Sequence, residues 1–172
     1  MFSSTLVKAA ALVLAATSSV GARRVCYDQT ELLYCYNGEW DTPQEVDPAD
    51  VAYIAGYLRA YGRETRTGRL LTMKTDDAAD CGEWSLYARG TALAVAKKVN
   101  MTYDSSVLFE DVANTIDGGT GAIRRNGIHR CGADGGSLGV VVNSTHPTYS
   151  LPLYVDTGAK PAGIVIKIVA NL

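Results

Sequence analysis

The sequence predicts an α+β sandwich: an antiparallel sheet with two helices packed on one face, tied by two disulfides. Three observations predict it. Two stretches repeat apolar residues at helical spacing; a series of short apolar runs beyond residue 126 is separated by glycine and proline turns; and the chain carries 4 cysteines. Two amphipathic helices need an apolar surface, and antiparallel strands joined by turns supply it in the simplest way.

Composition sets the outer limits. The chain has 172 residues, 47% of them hydrophobic and 20% charged, with 17 glycines, 5 prolines and a net charge of -2, which excludes collagen, coiled coil and wholesale disorder. Lys8, the apolar run Ala9 to Ala16 and the small residues Val20-Gly21-Ala22 read as a secretory signal peptide over 1–22. The apolar run is too short for a spanning helix, which needs roughly 20 such residues. Arg23-Arg24 offers a second, dibasic trimming site. Residues 23–172 are then a single secreted α+β domain, free in the extracellular space, without a membrane anchor and slightly more acidic once Lys8 is lost. Gly163 to Val169 is interrupted by Lys167 and is also too short to span.

The elements follow in order. Val25 to Tyr27 and Leu32 to Tyr36 read as short strands about an Asp28-Gln29-Thr30 turn, and Gly38 to Pro48 as a loop. Asp47 is a good N-cap with Pro48 in the first helical position, and Asp50 adds negative charge where the helix dipole favours it. Val51, Ile54, Ala55 and Leu58 then recur at i, i+3, i+4 and i+7 up to Gly62, which predicts the first helix. Arg69 to Met73 and the alternating Trp84 to Arg89 read as strands, while Thr91 to Val99 fits helix and strand equally. A second helix is predicted from about Ser106 to Asp117, with a serine cap, Phe109, Val112, Ala113 and Ile116 as its core stripe, Glu110 and Asp111 near its start, and Gly118-Gly119 as its stop. Ile128 to Cys131, Leu138 to Val142, Leu151 to Val155 and Ile164 to Ala170 complete the predicted sheet, with Val140 to Val142 and Ile164 to Ile168 as central strands.

An oxidising compartment makes Cys26, Cys35, Cys81 and Cys131 a disulfide framework. A four-thiolate zinc site is disfavoured because no Cys-x-x-Cys pair occurs. Three pairings are open, and the preferred one joins Cys26 to Cys35 and Cys81 to Cys131, because the first pair flanks the proposed hairpin turn. Asn100-Met-Thr102 and Asn143-Ser-Thr145 are sequons, expected in exposed loops and open to N-glycosylation.

Catalytic signals are sparse. Gly135-Gly136-Ser137-Leu138-Gly139 imitates a nucleophile elbow but leads into a strand and lacks ordered partners, so it reads as a glycine-rich turn. Gly118-Gly119-Thr120-Gly121 lacks the phosphate-loop lysine and the dinucleotide spacing. His129 lies among Arg124, Arg125 and Arg130, and with Glu83 as base it could serve phosphodiester hydrolysis, histidine and carboxylate sharing the proton while arginine steadies the phosphate. An exposed basic turn is the favoured reading of the same residues. An acidic mature chain argues against general nucleic-acid binding. Neither a metal nor a cofactor is implied. Among 10 tyrosines, Tyr27, Tyr34, Tyr36, Tyr53, Tyr57 and Tyr61 gather early in the mature chain. They can recognise protein or glycan, although Tyr57 and Tyr61, at i and i+4, read first as the rim of the core.

The order from Cys81 through Asp104-Ser105-Ser106-Val107-Leu108-Phe109-Glu110-Asp111, continuing to Gly119, then Ile128-His129-Arg130-Cys131-Gly132 and Leu138 to Asn143, resembles small secreted fungal effectors and killer-toxin-like proteins. Those proteins commonly carry more cysteines. The resemblance implies an α+β sandwich released into the plant apoplast or growth medium, binding a host or competitor protein or glycan, with no catalytic residues to carry over. A Cys26 to Cys35 hairpin ahead of a helix and sheet is also similar to secreted fungal ribonucleases, whose glutamate, arginine and histidine are matched loosely by Glu83, Arg130 and His129. The function expected from the sequence is a secreted effector-like binding protein, with a small ribonuclease-like hydrolase as the alternative and a structural wall protein as a third reading.

Overall fold

The computed structural model describes residues 29–78, 82–119 and 126–172. The predicted signal peptide, the strand Val25 to Tyr27, Cys26, Cys81, Arg124 and Arg125 lie outside these residues. The elements run β1 (Tyr34–Cys35), α1 (Pro48–Gly62), β2 (Leu70–Met73), β3 (Glu83–Arg89), β4 (Ala92–Lys98), β5 (Ser105–Leu108), α2 (Phe109–Asp117), a 3-10 segment (Ile128–Asp134), β6 (Gly136–Gly139), a 3-10 turn (Pro147–Ser150), α3 (Pro152–Val155) and β7 (Ile164–Ala170).

Helix α1 forms as its sequence dictates. The Asp47 side chain accepts from the Ala49 amide at 2.8 Å, Pro48 opens the helix, and Val51, Ile54, Ala55 and Leu58 form its buried stripe. In α2, Val112, Ala113 and Ile116 are buried, and Gly118 closes the helix in the left-handed region at φ 82°. Both stripes join Ala92, Ala94 and Ala96 of β4 and Ile164, Ile166 and Ile168 of β7 in one cluster, so the two helices share one face of the sheet. Arg59 of α1 crosses to Asp117 of α2 at 2.7 Å and reaches Asn114 at 3.1 Å, tying the helices side by side.

The sheet is antiparallel in the order β1-β6-β7-β4-β3, and β2 and β5 form a separate antiparallel pair. Val165 and Val95, on the face turned away from the helices, are also buried, at 0% and 4% exposure. Burial on both faces is why the apolar run Ile164 to Ile168 marks a central strand. The ambiguous stretch 91–99 resolves as β4, because its small alanines leave room for the helices while its backbone bonds to strands on both sides.

Several expectations are corrected. Cys35 is bonded to Cys131 across a sequence separation of 96 residues, which excludes both preferred pairs, Cys26 with Cys35 and Cys81 with Cys131. The reason is that β1 pairs with β6, which brings Cys35 beside the segment leading into β6. Ile128 to Cys131 is a 3-10 segment, and Leu151 to Val155 contains the one-turn helix α3, opened by Pro152. Val140 to Val142 is no strand: β6 ends at Gly139, and Val141 is 48% exposed. The second helix starts at Phe109 rather than Ser106 and has no serine cap, because 105–108 is strand β5.

Candidate functional site

A cleft of about 380 Å³ opens between the outer face of the β2–β5 pair and the segment that carries α3. Its floor is set by strand alternation. Leu71 and Met73 point into the core, so Leu70, Thr72 and Lys74 stand on the opposite face, with Ser106 beside Thr72. The Thr72 and Ser106 hydroxyls are 2.7 Å apart. The far wall comes from Leu151, Leu153, Tyr154 and Thr157.

This wall is held on β5 by the backbone groups that β5 turns away from β2. The Ser106 amide donates to the Lys160 carbonyl at 2.9 Å, the Lys160 amide to the Asp104 carbonyl at 2.8 Å, and the Tyr154 hydroxyl to the Ser106 carbonyl at 2.8 Å. The Thr148 hydroxyl donates to the Thr67 carbonyl and closes the other end. Burial pushes the Tyr154 phenol up to about 12, so it stays a hydrogen-bond donor at any physiological pH.

The lining combines leucines with the hydroxyls of Thr67, Thr72, Ser106, Thr148 and Thr157 and, among the described residues, contains neither histidine nor cysteine. Its carboxylate, Asp104, accepts from the Thr75 hydroxyl at 2.6 Å and the Thr75 amide at 2.8 Å, which hold its pKa below the ordinary carboxylate value. A carboxylate held so firmly in its charged form is a poor general base. Lys74 is exposed at the same end.

Two buried polar groups look catalytic and are closed to substrate. Lys98 is fully buried, and its ammonium donates to the Tyr103 carbonyl at 2.6 Å and the Ser105 hydroxyl at 2.9 Å, with burial pulling its pKa down. Ser105 has no exposed surface and lies under Gly163, where a Cβ would stand 3.1 Å from its oxygen, so this serine–lysine pair holds the chain together. Asp111 is 2% exposed. It accepts from the Tyr149 hydroxyl at 2.6 Å and the Asn143 amide at 3.2 Å, while the Tyr149 oxygen accepts from the Leu108 amide at 2.8 Å. Burial raises the Asp111 pKa against these donors. The cluster fastens the 141–149 loop to α2 and so supports the cleft wall.

The residues singled out in the sequence are dispersed. Glu83 pairs in register with Lys97 on the sheet face away from the helices, and its carboxylate takes the Lys167 ammonium at 2.5 Å. His129 and Arg130 are exposed on the 3-10 segment, which packs against α1 and α2 on the other side of the sheet. No hydrogen bond or ion pair joins Glu83 to His129 among the described residues. Ser137 is buried in β6 at 4% exposure, so the imitation elbow presents no nucleophile. Among the described residues no three histidine, cysteine, aspartate or glutamate side chains gather as metal ligands. In both sequons the asparagine Oδ1 accepts from the threonine two residues on: 2.9 Å to its amide and 2.7 Å to its hydroxyl at Asn100, and 3.3 Å and 2.7 Å at Asn143. Asn143 is exposed, whereas Asn100 is half-buried.

The tyrosines of α1 cover the rim of the core. Tyr57 stacks on Tyr87 of β3 with centroids 3.8 Å apart and on Tyr61 at 6.4 Å, while Arg89 sits over Tyr53 and Arg69 over Tyr61 at 4.5 and 4.3 Å. Each of these rings thus packs against another ring or an arginine, while Tyr53 and Tyr57 remain 49% and 41% exposed.

The cleft was not visible in the sequence, because its residues come from segments far apart in the chain and its hydroxyls are ordinary strand and turn residues. Comparison with known proteins finds no matching family model, no similar curated protein and no similar solved structure.

Proposed function

We propose that this chain is a secreted, non-enzymatic recognition protein of the effector type, exported by the segment 1–22 and acting in the extracellular space or plant apoplast on a host or competitor component. Two disulfides and a glycan at Asn143 belong to this reading. With Cys35 and Cys131 joined, a second bridge falls to Cys26 and Cys81. The observation that carries the proposal is the cleft: a formed cavity lined by hydroxyls and leucines, whose one carboxylate among the described residues, Asp104, has its pKa lowered by the Thr75 hydrogen bonds. Such a lining contacts a ligand and has no group poised to move a proton.

The hydrolase reading requires Glu83 and His129 to act together, and the sheet lies between them. Purified native protein incubated with RNA decides between the two: no cleavage above a buffer control is expected. Cleavage that disappears in a folded His129→Ala variant overturns the recognition reading. Recovery of the protein from culture fluid, beginning near residue 23, is expected. Material that starts at Met1 inside the cell removes the premise of secretion.

A further inference from the structure

We propose that β2 and the cleft beside it form a docking site for an extended peptide segment of a partner protein, which adds to the open edge of β2 as a further strand. This rests on the recognition-protein reading and names the partner class for the same site. The hydrogen-bond phase of the β2–β5 ladder is the starting point. The Phe109 amide donates to the Arg69 carbonyl at 3.0 Å, so that carbonyl and the backbone groups of Leu71 and Met73 turn toward β5, while the Arg69 amide donates to the Gly62 carbonyl at 2.8 Å. On β5 the alternate residues bond the opposite way, Ser106 to Lys160 and Leu108 to the Tyr149 hydroxyl, which confirms the phase.

Leu70 and Thr72 therefore turn their N–H and C=O groups outward, and among the described residues no backbone group bonds to them. Two donors and two acceptors stand in one line at strand spacing, which is what an added strand requires. The other edges are guarded. β3 carries a bulge between Ser85 and Tyr87 with Glu83 and Arg89 at its ends, and β1 is two residues long. β2 reads Leu-Leu-Thr-Met, without a bulge, proline or charge.

The cleft says what such a strand carries. Alternate side chains of the added strand stand on the face of Leu70 and Thr72, at the cleft mouth, where Leu70, Leu153 and the threonine hydroxyls favour apolar or hydroxyl-bearing residues. At one end exposed Lys74 favours an acidic residue, since Asp104 beside it is already engaged by Thr75. The Tyr154 ring is buried at 6% exposure and offers no face for stacking a sugar or a base, so the backbone of a peptide is the better match.

The test uses the isotopically labelled, oxidised protein and a blocked hexapeptide of alternating threonine and leucine ending in glutamate, together with two derivatives N-methylated at complementary sets of alternate amides. Expected on titration are shifts of the Leu70 and Thr72 amide signals with about tenfold slower exchange of both. One methylated peptide binds at least about tenfold more weakly than the parent, and the other binds like it. Leu70→Pro, which removes one outward N–H at the first residue of an edge strand, weakens binding similarly while keeping the unfolding midpoint. The proposal is overturned by equal binding of both methylated peptides, by signal changes confined to other surfaces, by no binding of the parent at millimolar concentration, or by protection of Leu70 and Thr72 through self-association without peptide. RNA cleavage, measured separately, overturns the wider reading without touching these amides.

Discussion

At the scale of single residues, burial changes what a side chain does. Asp111 reads in the sequence as one more acid near a helix start, and in the fold it is a buried acceptor joining α2 to the 141–149 loop. Its folded-state pKa lies above the unfolded value of about 3.9, so the stability linked to its protonation is present at low pH and is lost as pH rises through the folded value. Tyr149→Phe removes the donor that favours the charged form. The variant is expected to lose about 1–3 kcal/mol at pH 7, where a buried carboxylate is left short of a partner. That loss shrinks as pH falls through the Asp111 titration, because the neutral acid needs the donor less. The Leu108 amide loses its acceptor at either pH, so the difference reports Asp111 alone. Urea unfolding of both proteins over a pH series from 7 down to the unfolded carboxylate value of about 3.9 measures it, and a loss that does not change with pH contradicts this role. Lys98 shows the same effect: it follows Ala92, Ala94 and Ala96 in alternation and, although a lysine, is fully buried.

At the scale of elements, the first helix was legible to its cap because capping is local chemistry. Its tertiary attachment was not. Asp50, which reads as a charge on the helix dipole, accepts from the Thr91 amide at 2.8 Å and the Thr91 hydroxyl at 3.0 Å, while the Asp47 amide donates to that hydroxyl at 2.6 Å. The start of α1 is thereby buttoned to the β3–β4 turn. Gly90 makes the turn possible: its φ is 48°, and a Cβ there would stand 2.2 Å from the Asp50 carboxylate. Gly90→Ala is expected to lose at least about 1–2 kcal/mol from the left-handed backbone alone. Asp47→Ala should lose about 1 kcal/mol. Thermal unfolding ranks the two, and a smaller effect at Gly90 than at Asp47 contradicts the close approach. Strand β5 was hidden because Val107 and Leu108 run straight into the helical stripe of α2, and only pairing with β2 shows where one period gives way to the other.

For the molecule as a whole, the Cys35–Cys131 bond links β1 to the segment leading into β6 and closes most of the described chain into one loop. Chain-entropy reasoning assigns such a loop about 4.7 kcal/mol, more than either of the shorter loops in the pairing first preferred. Proteolysis without reduction is expected to release a peptide joining Cys35 to Cys131, and Cys35→Ser with Cys131→Ser to lose about 2–5 kcal/mol in denaturant unfolding. A recovered Cys26–Cys35 peptide would contradict the bond.

The α+β class, α1, the α2 stripe, β2, β3 and the central strand β7 follow from the sequence alone, because caps, periodicity and burial on both faces are written within a few neighbouring residues. Disulfide partners, the extent of β6, the separation of Glu83 from His129 and the cleft over β2 were decided by tertiary structure. Each depends on which distant segments meet. Sheet order settles that, and strands far apart in the chain pair through backbone groups common to every residue, so side-chain pattern carries little of the information.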